Sequence, residues 1–503
     1  MDKTNDIMLE LVTAFLLTIS AFMNQDKKKF INTHSDEKVI VRRLTKDELR
    51  DLFIVYFKNE TEQDLSSYEI ISYIYNVLNS QVVASGNTHA IYNRTYIDKD
   101  ESKILYHLGE GLIVEIDKNG YRLTNQKEPI FYENKISMTQ LEPIAIQKAD
   151  FSRIDKYLNA SDPDSRLLLK IYLVSTLIQN IPRFGLFLTG THGSSKTTLL
   201  KMFKKIIDPT VSGVQQFPSK TDDLVLSLSQ QYYAAYDNQS FLDQENSDIL
   251  CQFITGSNYT KRKLFTDEDQ TIIRLFGNVA INGINLVATK PDLLSRSLLI
   301  DLDPIEESKR LSEKELWASF DSDLPYILGG IFKTLSIALQ KKKSLKKMDK
   351  TYRMADAVEW GRAIAVALGY TENEFIEALD HNIQALNEKA IDENSLASVV
   401  INFMAGKNIA SASPTRWFED LKNEAIKHKI DIRNLSWLKA PNYLSRELKV
   451  LQPTLKRAGI LVEHKRSNKE RFIEIRKIDT PNNEKALIDE QDHDSDDDDL
   501  YFK

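Results

Sequence analysis

One short segment constrains the fold of this chain more than any other. Residues 184–201 read FGLFLTGTHGSSKTTLLK, an apolar run followed by a small polar loop and then a helical pattern. The run suits a buried strand, and Gly190 and Gly193 allow the loop backbone to turn its N–H groups inward. A helix that begins at Thr197 adds the positive end of its dipole. This layout predicts a phosphate-binding loop inside an α/β fold.

The loop predicts a bound nucleoside triphosphate, taken as ATP, together with Mg²⁺. Lys196 would reach the β- and γ-phosphates, and the Thr197 hydroxyl would hold the metal ion. Ser195 stands where the usual motif has glycine, so the match is incomplete. A turn that contains Lys-Thr by chance is the alternative, but the flanking strand and helix favour a nucleotide site. The residues predicted to bind ATP are Gly190, Gly193, Ser194, Ser195, Lys196, Thr197 and Thr198.

The composition is that of an ordinary globular protein, with 42% hydrophobic and 28% charged residues. The single cysteine, Cys251, excludes an intrachain disulfide and predicts a core residue in a reducing, cytoplasmic protein. The apolar stretch 7–23 contains Glu10 and is too short for a membrane span, so we expect a buried helix there. The net charge of −7 resides in the tail from Asp489. This balance says little against DNA binding, which depends on local basic patches.

Pattern changes along the chain predict five regions. Helical and strand-like runs are mixed before residue 150, and an α/β pattern surrounds the loop. Three helices near 395–404, 413–428 and 442–457 precede strand-like runs at 461–464 and 471–475, which is the order of a winged helix. The predicted regions are an N-terminal α+β domain (1–149), an ATPase core (150–312), a helical lid (313–392), a winged-helix DNA-binding domain (393–478) and a disordered acidic tail (479–503).

A second acidic residue ends a strand-like run about forty residues after the loop. The run QQYYAAYDNQS ends near Asp237, which could hold Mg²⁺ through water. Asn238 stands where many such ATPases carry the catalytic glutamate. An amide can orient a water molecule but cannot accept its proton, so the general base is unassigned. A turn at the end of a strand is the alternative interpretation of this pair.

Three further features lie in the same region. Asn282, at the end of the run FGNVAIN, could contact the γ-phosphate or the attacking water. Arg296 precedes the run SLLIDL, and such an arginine can reach the nucleotide of a neighbouring subunit. Lys261, Arg262 and Lys263 lie on one arm of a predicted hairpin, where they could meet DNA phosphates. The alternative for Asn282 is an ordinary turn residue, and the alternative for Arg296 is an ordinary surface arginine. For the basic cluster the alternative is a solvated face.

The order of these motifs resembles the AAA+ helicase-type ATPases of phages and integrative elements. Those ATPases are relatives of poxvirus-type superfamily 3 helicases and of the self-loading replicative helicases of staphylococcal islands. In them a small residue replaces the glycine before the lysine and Asp-Asn stands at the second acidic position, which agrees with Ser195 and Asn238. The matching motifs are GTHGSSKTT, AAYDNQS, ITGSNYTKRKLF, AINGIN, ATKPDLLSRSLLIDL, YRMADAVEWGRA and, nearer the N-terminus, ILYHLGEGLIVEI and NGYRLT.

The resemblance implies a role for each motif residue. Thr197 and Asp237 would be the metal ligands, and the stretch 261–264 would be a pore hairpin that grips single-stranded DNA. Asn282 would be the first sensor, Arg296 the arginine finger and Arg353 the second sensor. The predicted catalytic set is therefore Lys196, Asp237, Asn238, Asn282, Arg296 and Arg353.

Basic residues of the predicted winged helix indicate contacts with duplex or origin DNA. A winged helix that binds protein and carries a solvated basic face is the alternative. The predicted contacts on the third helix and the wing are Arg446, Lys449, Lys456, Arg457, Lys465, Arg466 and Lys469.

Together these features predict an ATP-driven DNA helicase that forms a ring, expected to be a hexamer, and initiates replication of a mobile element or virus. A primase, polymerase or single-strand-binding protein would be its partner, and no membrane is involved. The alternatives are an origin-bound loader without unwinding activity and a winged-helix regulator that ATP switches between oligomeric states. The acidic tail is expected to solubilise the protein, to compete with DNA for its basic surfaces, or to dock a replication partner through its terminal aromatic residues.

Overall fold

A computed structural model of the protein describes a mixed α/β fold in which the described strands form five sheets. Lys263, Lys469 and the tail 479–503 lie outside the described residues, as does the side chain of Arg262. Within the described part of the chain, no helix is long and apolar enough to cross a membrane. The described residues are 2–35, 37–65, 69–262, 270–283, 290–306, 308, 310–348, 351–428, 440–466 and 471–478.

The helices and strands of these residues are numbered in chain order. The α-helices are α1 (Asp2–Leu17), α2 (Lys46–Thr61), α3 (Glu69–Ser85), α4 (Pro163–Ser175), α5 (Lys196–Ile207), α6 (Thr221–Gln230), α7 (Gln244–Thr255), α8 (Pro291–Leu294), α9 (Glu313–Lys342), α10 (Ala355–Ala367), α11 (Glu372–Glu393), α12 (Ser395–Met404), α13 (Pro414–Lys427) and α14 (Pro441–Arg457). The strands are β1 (Ile19–Asn24), β2 (Lys29–Ser35), β3 (Lys38–Arg43), β4 (Thr88–His89), β5 (Thr95–Ile97), β6 (Lys103–Gly109), β7 (Leu112–Asp117), β8 (Gly120–Asn125), β9 (Gly185–Thr189), β10 (Gln215–Gln216), β11 (Tyr233–Asp237), β12 (Ser257–Arg262), β13 (Gln270–Leu275), β14 (Asn278–Asn282), β15 (Ser297–Asp301), β16 (Ile409–Ala412), β17 (Ile460–Arg466) and β18 (Arg471–Lys477).

A parallel sheet in the order β10-β11-β14-β9-β15 forms the centre of the molecule. Strand β9 is buried on both faces: Leu186 and Leu188 pack in a core with residues of α4 and α5, whereas Phe187 packs with residues of α6 and α7. Burial on both faces explains the continuous apolar run in the sequence. Because the strands are parallel, their carboxyl ends meet at one edge of the sheet.

The largest apolar core crosses the predicted domain boundary at residue 149. Ile104 of β6 and Val114 of β7 belong to the same core as residues of α4, α9 and α10. The ring of Tyr106 lies 5.4 Å from that of Phe332 in α9. A separate core joins α1, α2 and α3 to the first sheet. Strands β5 to β8 therefore pack with the central unit, and the division into domains stays a prediction.

The N-terminal helix differs from the prediction over 7–23, which is wrong beyond Leu17. Residues 19–24 form β1, which pairs with β2 and β4. Ile19 and Phe22 are the types of residue that favour strands, and they are buried in two different cores. Helix α1 is buried on one face only, because Val12 and Phe15 are 0% and 3% exposed whereas Ile7 and Leu17 are 56% and 85% exposed.

The C-terminal region has its own core and the predicted order of three helices and a hairpin. Strand β16, which the sequence analysis missed, completes a three-stranded sheet in the order β16-β18-β17. The buried Trp417 of α13 joins the layers, since its Nε1 donates to the carbonyl oxygen of Ile473 at 2.8 Å. Cys251 of α7 is buried, which confirms that prediction.

Candidate functional site

The loop between β9 and α5 has a backbone that its small residues permit. Gly190 (φ 140°), Gly193 (φ 80°) and Ser195 (φ 62°) all have positive φ angles. A Cβ atom at Gly190 would lie 2.5 Å from the carbonyl oxygen of Leu302, so the packing admits only glycine there. Left-handed residues of this kind let neighbouring N–H groups converge on an anion, and the loop leads directly into the N-terminus of α5.

Lys196, the first residue of α5, folds over this loop. Its Nζ donates to the carbonyl oxygens of Gly190 at 2.7 Å and Thr191 at 2.8 Å, and to Ser194 Oγ at 3.2 Å. Partial burial lowers the pKa of Lys196, against the opposing effect of nearby carboxylates. The ammonium group is therefore held at the mouth of the loop, where a phosphate would exchange with these carbonyl oxygens.

Side chains from three elements meet beside the lysine. Thr197 Oγ1 donates to Asp237 Oδ1 at 2.7 Å and accepts from Asn282 Nδ2 at 3.4 Å. The backbone N–H of Asn238, a residue with φ 55°, donates to Asn282 Oδ1 at 2.6 Å. These contacts fix the amide orientation of Asn282, which is 1% exposed. The structure thus brings together four residues that the sequence analysis selected from separate segments.

The donor set at this point fits a nucleotide with Mg²⁺. A hydroxyl and a carboxylate oxygen 2.7 Å apart are the hard oxygen ligands that Mg²⁺ prefers. They lie at the N-terminus of a 12-residue helix and directly after a loop whose glycines leave its backbone open to phosphate. Residues of this kind bind phosphates and position a metal ion, and the individual roles of Lys196, Thr197 and Asp237 stay predictions.

Two cations beside the loop were missed by the sequence analysis. Lys389 of α11 places its Nζ 3.3 Å from Thr189 Oγ1 and 3.2 Å from Asp301 Oδ2, at the carboxyl ends of β9 and β15. Arg310 places Nη2 2.8 Å from the point that a Cβ at Gly193 would occupy. Charged residues in a helix or a loop usually indicate a solvated surface, so the sequence contains no local signal for either.

Arg296 and Arg353 lie together at the opposite edge of the sheet. Arg296 Nη2 is 3.2 Å from Asp292 Oδ1, and Arg353 pairs with the same carboxylate and donates to Ser295 Oγ at 2.9 Å. Burial alone would raise the pKa of Asp292, but hydrogen bonds from Cys251 and Arg296 and the two positive charges lower it. The structure brings these two arginines to each other and not to Lys196, and their nucleotide roles stay predictions.

The distance between Arg296 and the loop follows from the strand register. The N–H of Gly185 donates to the carbonyl oxygen of Arg296 at 2.9 Å, so Arg296 lies beside the first residue of β9. The loop begins after Thr189, the last residue of β9. Five residues at about 3.3 Å each separate the two positions by roughly 16 Å. The backbone of Arg296 therefore lies at the far end of β9 from the loop of its own chain.

The predicted DNA-binding residues lie in two places. Lys261 of β12 is half-buried and pairs with Asp222 of α6. In the C-terminal region, Lys465 forms ion pairs with Glu463 at 3.3 Å and Glu474 at 2.5 Å, and the two carboxylates offset the positive charge that Lys465 would present to DNA. Arg457 donates to Asn387 Oδ1 of α11 at 3.0 Å, so it contributes to a contact between regions. Lys456 is half-buried, and the exposed basic residues are Arg446, Lys449, Arg457, Lys465 and Arg466.

Two protein-family models match this chain. Residues 153–383 match the actinomycete integrative conjugative element replication protein, and residues 396–489 match the C-terminal domain of that element's RepA. No curated protein matches the sequence. Two apo structures of the NrS-1 C-terminal region are similar at 14% and 10% identity, with TM-scores of 0.38 and 0.36, each covering 93% of this chain and 98% of the other. Scores of this size do not establish a shared overall fold. In these two matched regions, the chain is a replication protein of the kind found in integrative conjugative elements.

Proposed function

We propose that this replication protein is an ATP-dependent DNA helicase with an AAA+ type core that works as a ring, expected to be a hexamer. The observation that supports it most is the contact between Thr197 and Asp237 beside the glycine-containing loop. Enzymes that hydrolyse nucleoside triphosphates hold Mg²⁺ with a hydroxyl that follows the loop and a carboxylate at the end of a neighbouring strand, as Thr197 and Asp237 are placed here. The two matches to a replication protein indicate that this hydrolysis serves DNA replication.

Each residue of the site has a proposed task. Lys196 and the N–H groups of the loop bind the phosphates, while Thr197 and Asp237 hold Mg²⁺, which neutralises the charge that develops on the phosphates. The hydrogen bond to Asn282 Oδ1 fixes the amide with its Nδ2 beside Thr197, where this donor would meet the γ-phosphate or the attacking water. Lys389 adds a cation from the helical region beside the loop, and Arg353 stays the predicted second sensor.

Arg296 acts on the nucleotide of a neighbouring subunit in this proposal. Its position, roughly 16 Å from the loop of its own chain along β9, prevents action within one chain. Its Nε is buried and has no hydrogen-bond partner among the described residues. A ring places the amino edge of one sheet beside the loop of the next subunit, where an arginine finger accelerates hydrolysis about 10³- to 10⁵-fold.

DNA would meet two surfaces. The β12–β13 hairpin, which carries Lys261, would contact single-stranded DNA in the pore. The C-terminal region has the helix and strand order of a winged helix, with Arg446 and Lys449 exposed on its third helix. Such a helix suits the major groove of duplex or origin DNA. Arg466 would contact the adjacent backbone from the β17–β18 hairpin.

Strand displacement on forked DNA tests the proposal. Wild type should unwind the fork with ATP, and Lys196→Ala should abolish both unwinding and ATP hydrolysis. Lys201→Ala is a matched control, because Lys201 is exposed on the same helix and lies outside the loop. A wild-type protein that hydrolyses ATP fully as a monomer on DNA would exclude the ring.

One observation favours a second candidate function. The residue after Asp237 is Asn238, whose amide cannot take a proton from water at neutral pH. An origin-bound loader, or a DNA-binding protein that ATP switches between oligomeric states, needs nucleotide binding with little turnover. DNA binding that depends on ATP, without unwinding and with slow hydrolysis in wild type, would support that alternative.

A further inference from the structure

A second cluster of cations lies away from the phosphate loop, where the first sheet meets the base of the β12–β13 hairpin. Two adjoining clefts of about 530 and 130 Å³ open there, and both are lined by Asp26, Arg274 and Phe276. The larger cleft lies within the range of roughly 300–1,000 Å³ that holds a small organic ligand, whereas the smaller cleft, which Lys28, Arg43 and Tyr92 line, lies below that range. We call this pair of clefts the hairpin-base cleft.

Three cations line the hairpin-base cleft: Lys28 before β2, Arg43 at the end of β3 and Arg274 on β13. None of them forms an ion pair with a carboxylate of the described residues. The Asp26 carboxylate accepts from Asn24 Nδ2 at 3.2 Å and offsets one of the three charges. Burial lowers the pKa of Lys28, and the charge of Arg43 lowers it further. Like charges held together without a partner favour an anionic ligand.

One of the two arginines, Arg43, lies against aromatic rings. The guanidinium carbon of Arg43 lies 4.8 Å from the centre of the Phe30 ring and 5.9 Å from that of Tyr132. Such contacts orient the guanidinium group without neutralising it. Tyr92 also lines the cleft, and its half-exposed ring lies 4.8 Å from that of Tyr96. The cleft thus offers aromatic surface next to positive charge.

Unpaired amide oxygens add hydrogen-bonding capacity to the lining. Asn93 Oδ1 and Gln179 Oε1 are buried and have no hydrogen-bond partner among the described residues, and both residues line the cleft. Buried acceptors of this kind cost free energy unless a partner reaches them. The exocyclic amino group or ring N–H of a base is such a donor. Cations, aromatic rings and amides together are the groups that bind single-stranded nucleic acid.

The position of Arg274 connects the cleft to the hairpin. Arg274 of β13 pairs across the ladder with Asn258 of β12, and Lys261 lies three residues after Asn258, about 10 Å nearer the tip of the hairpin. Because side chains alternate along a strand, Lys261 and Arg274 lie on opposite faces of the hairpin. The cleft and Lys261 are therefore separate contact points, and the choice of a polymer as the ligand rests on the proposed DNA-processing function.

We propose that the hairpin-base cleft binds a nucleotide unit of single-stranded DNA, with phosphates on Arg43 and Arg274 and a base against Tyr92. The identity of the polymer rests on the proposed DNA-processing function, while the anionic and aromatic character of the ligand rests on the cleft. The first sheet thereby acquires a role as part of the DNA path.

Equilibrium binding of the full chain to a fluorescent oligothymidine, measured across salt concentrations, tests the proposal. Arg43→Gln and Arg274→Gln should each weaken binding about tenfold and reduce the slope of log K against log salt by about 0.7. Arg42→Gln is the matched control, because Arg42 is the preceding residue of β3 and lies 3.9 Å from Glu48, outside the cleft. Wild-type affinity and slope in both cleft variants would overturn the proposal.

A charge-preserving variant separates binding from folding. Arg43→Lys keeps the phosphate contact and should keep most of the salt slope, whereas a loss equal to that of Arg43→Gln would indicate a structural role and overturn the assignment of Arg43. Photocrosslinking with an oligonucleotide that carries 5-iodouracil should label the peptide with Tyr92 or Phe276. Labels confined to the β12–β13 hairpin and the C-terminal region would exclude the cleft.

The same proteins distinguish this inference from the proposed helicase. If the wild-type protein does not unwind forks but the cleft variants bind oligothymidine more weakly than wild type, the cleft is supported and the helicase is refuted. Cleft variants that bind oligothymidine normally, from a wild type that unwinds forks, would refute the cleft alone. A wild type that fails to bind single-stranded DNA would refute the cleft, whatever its ATP hydrolysis.

Discussion

Mixing two inactive variants tests whether Arg296 acts between subunits. Lys196→Ala should lack nucleotide turnover, and Arg296→Ala should hydrolyse ATP about 10³- to 10⁵-fold more slowly than wild type. The strand register separates Arg296 from the loop of its own chain by roughly 16 Å, so a functional site needs the loop of one chain and the arginine of the next. The two variants should therefore complement each other.

The expected recovery follows from the geometry of a ring. In an equal, randomly assembled mixture, half of the subunits have an intact Lys196, and half of their neighbours on the relevant side have an intact Arg296. About one quarter of the sites, and about one quarter of the wild-type rate of ATP hydrolysis, should return if the sites act independently. Steady-state phosphate release before and after subunit exchange measures this. Activity no higher than the sum of the two parents would refute action between subunits.

Three further changes have defined outcomes. Asp237→Asn should weaken apparent Mg²⁺ affinity about 10- to 100-fold in a titration of ATPase rate, because Thr197 loses its carboxylate partner. Lys389→Met should slow ATP hydrolysis with little change in melting temperature, since a half-exposed ion pair contributes less than about 1 kcal/mol to folding. Asp208→Asn should lower the free energy of unfolding in urea by about 3–5 kcal/mol, because it leaves Arg94 and Lys204 buried without their carboxylate. Burial alone would raise the pKa of Asp208, but the two cations lower it. The stabilisation by the Asp208 carboxylate is therefore complete above its ordinary pKa of 3.8 and is lost as pH falls through the lower pKa of the folded state. This loss of stability at low pH should be absent from the pH profile of Asp208→Asn.

Local patterns were sufficient to find the residues around the loop. Thr197, Asp237 and Asn282 each follow or end a recognisable run, and parallel strands bring the ends of such runs to one edge. The boundary between α1 and β1 was missed because the apolar stretch 7–23 has no glycine or proline at the change of structure. Lys389 could not be predicted, because its place beside Thr189 depends on how α11 packs against β15.

The hairpin-base cleft was also beyond sequence analysis. Its cations come from residues 28, 43 and 274, and only the packing of the first sheet against the base of the β12–β13 hairpin brings them together. Lys28 lies in a polar segment, whereas Arg43 and Arg274 lie in apolar strand runs, and none of the three belongs to a motif that indicates a ligand. The physical signal was that these cations have no carboxylate partner among the described residues, and finding it requires knowing which carboxylates lie near them in the fold.

The two edges of the central sheet divide the proposed reaction between subunits. The carboxyl edge holds the loop, the Thr197–Asp237 pair and Lys389, whereas the amino edge holds Arg296 and Arg353 on the single carboxylate of Asp292. Two cations on one carboxylate leave net positive charge at that edge. In the proposed ring, this charge meets the nucleotide of the neighbouring subunit, so that the negative charge developing on the γ-phosphate has cations on both sides. Under that proposal assembly is a condition of hydrolysis, and Asp292 holds the arginines in place until a neighbouring nucleotide competes for them.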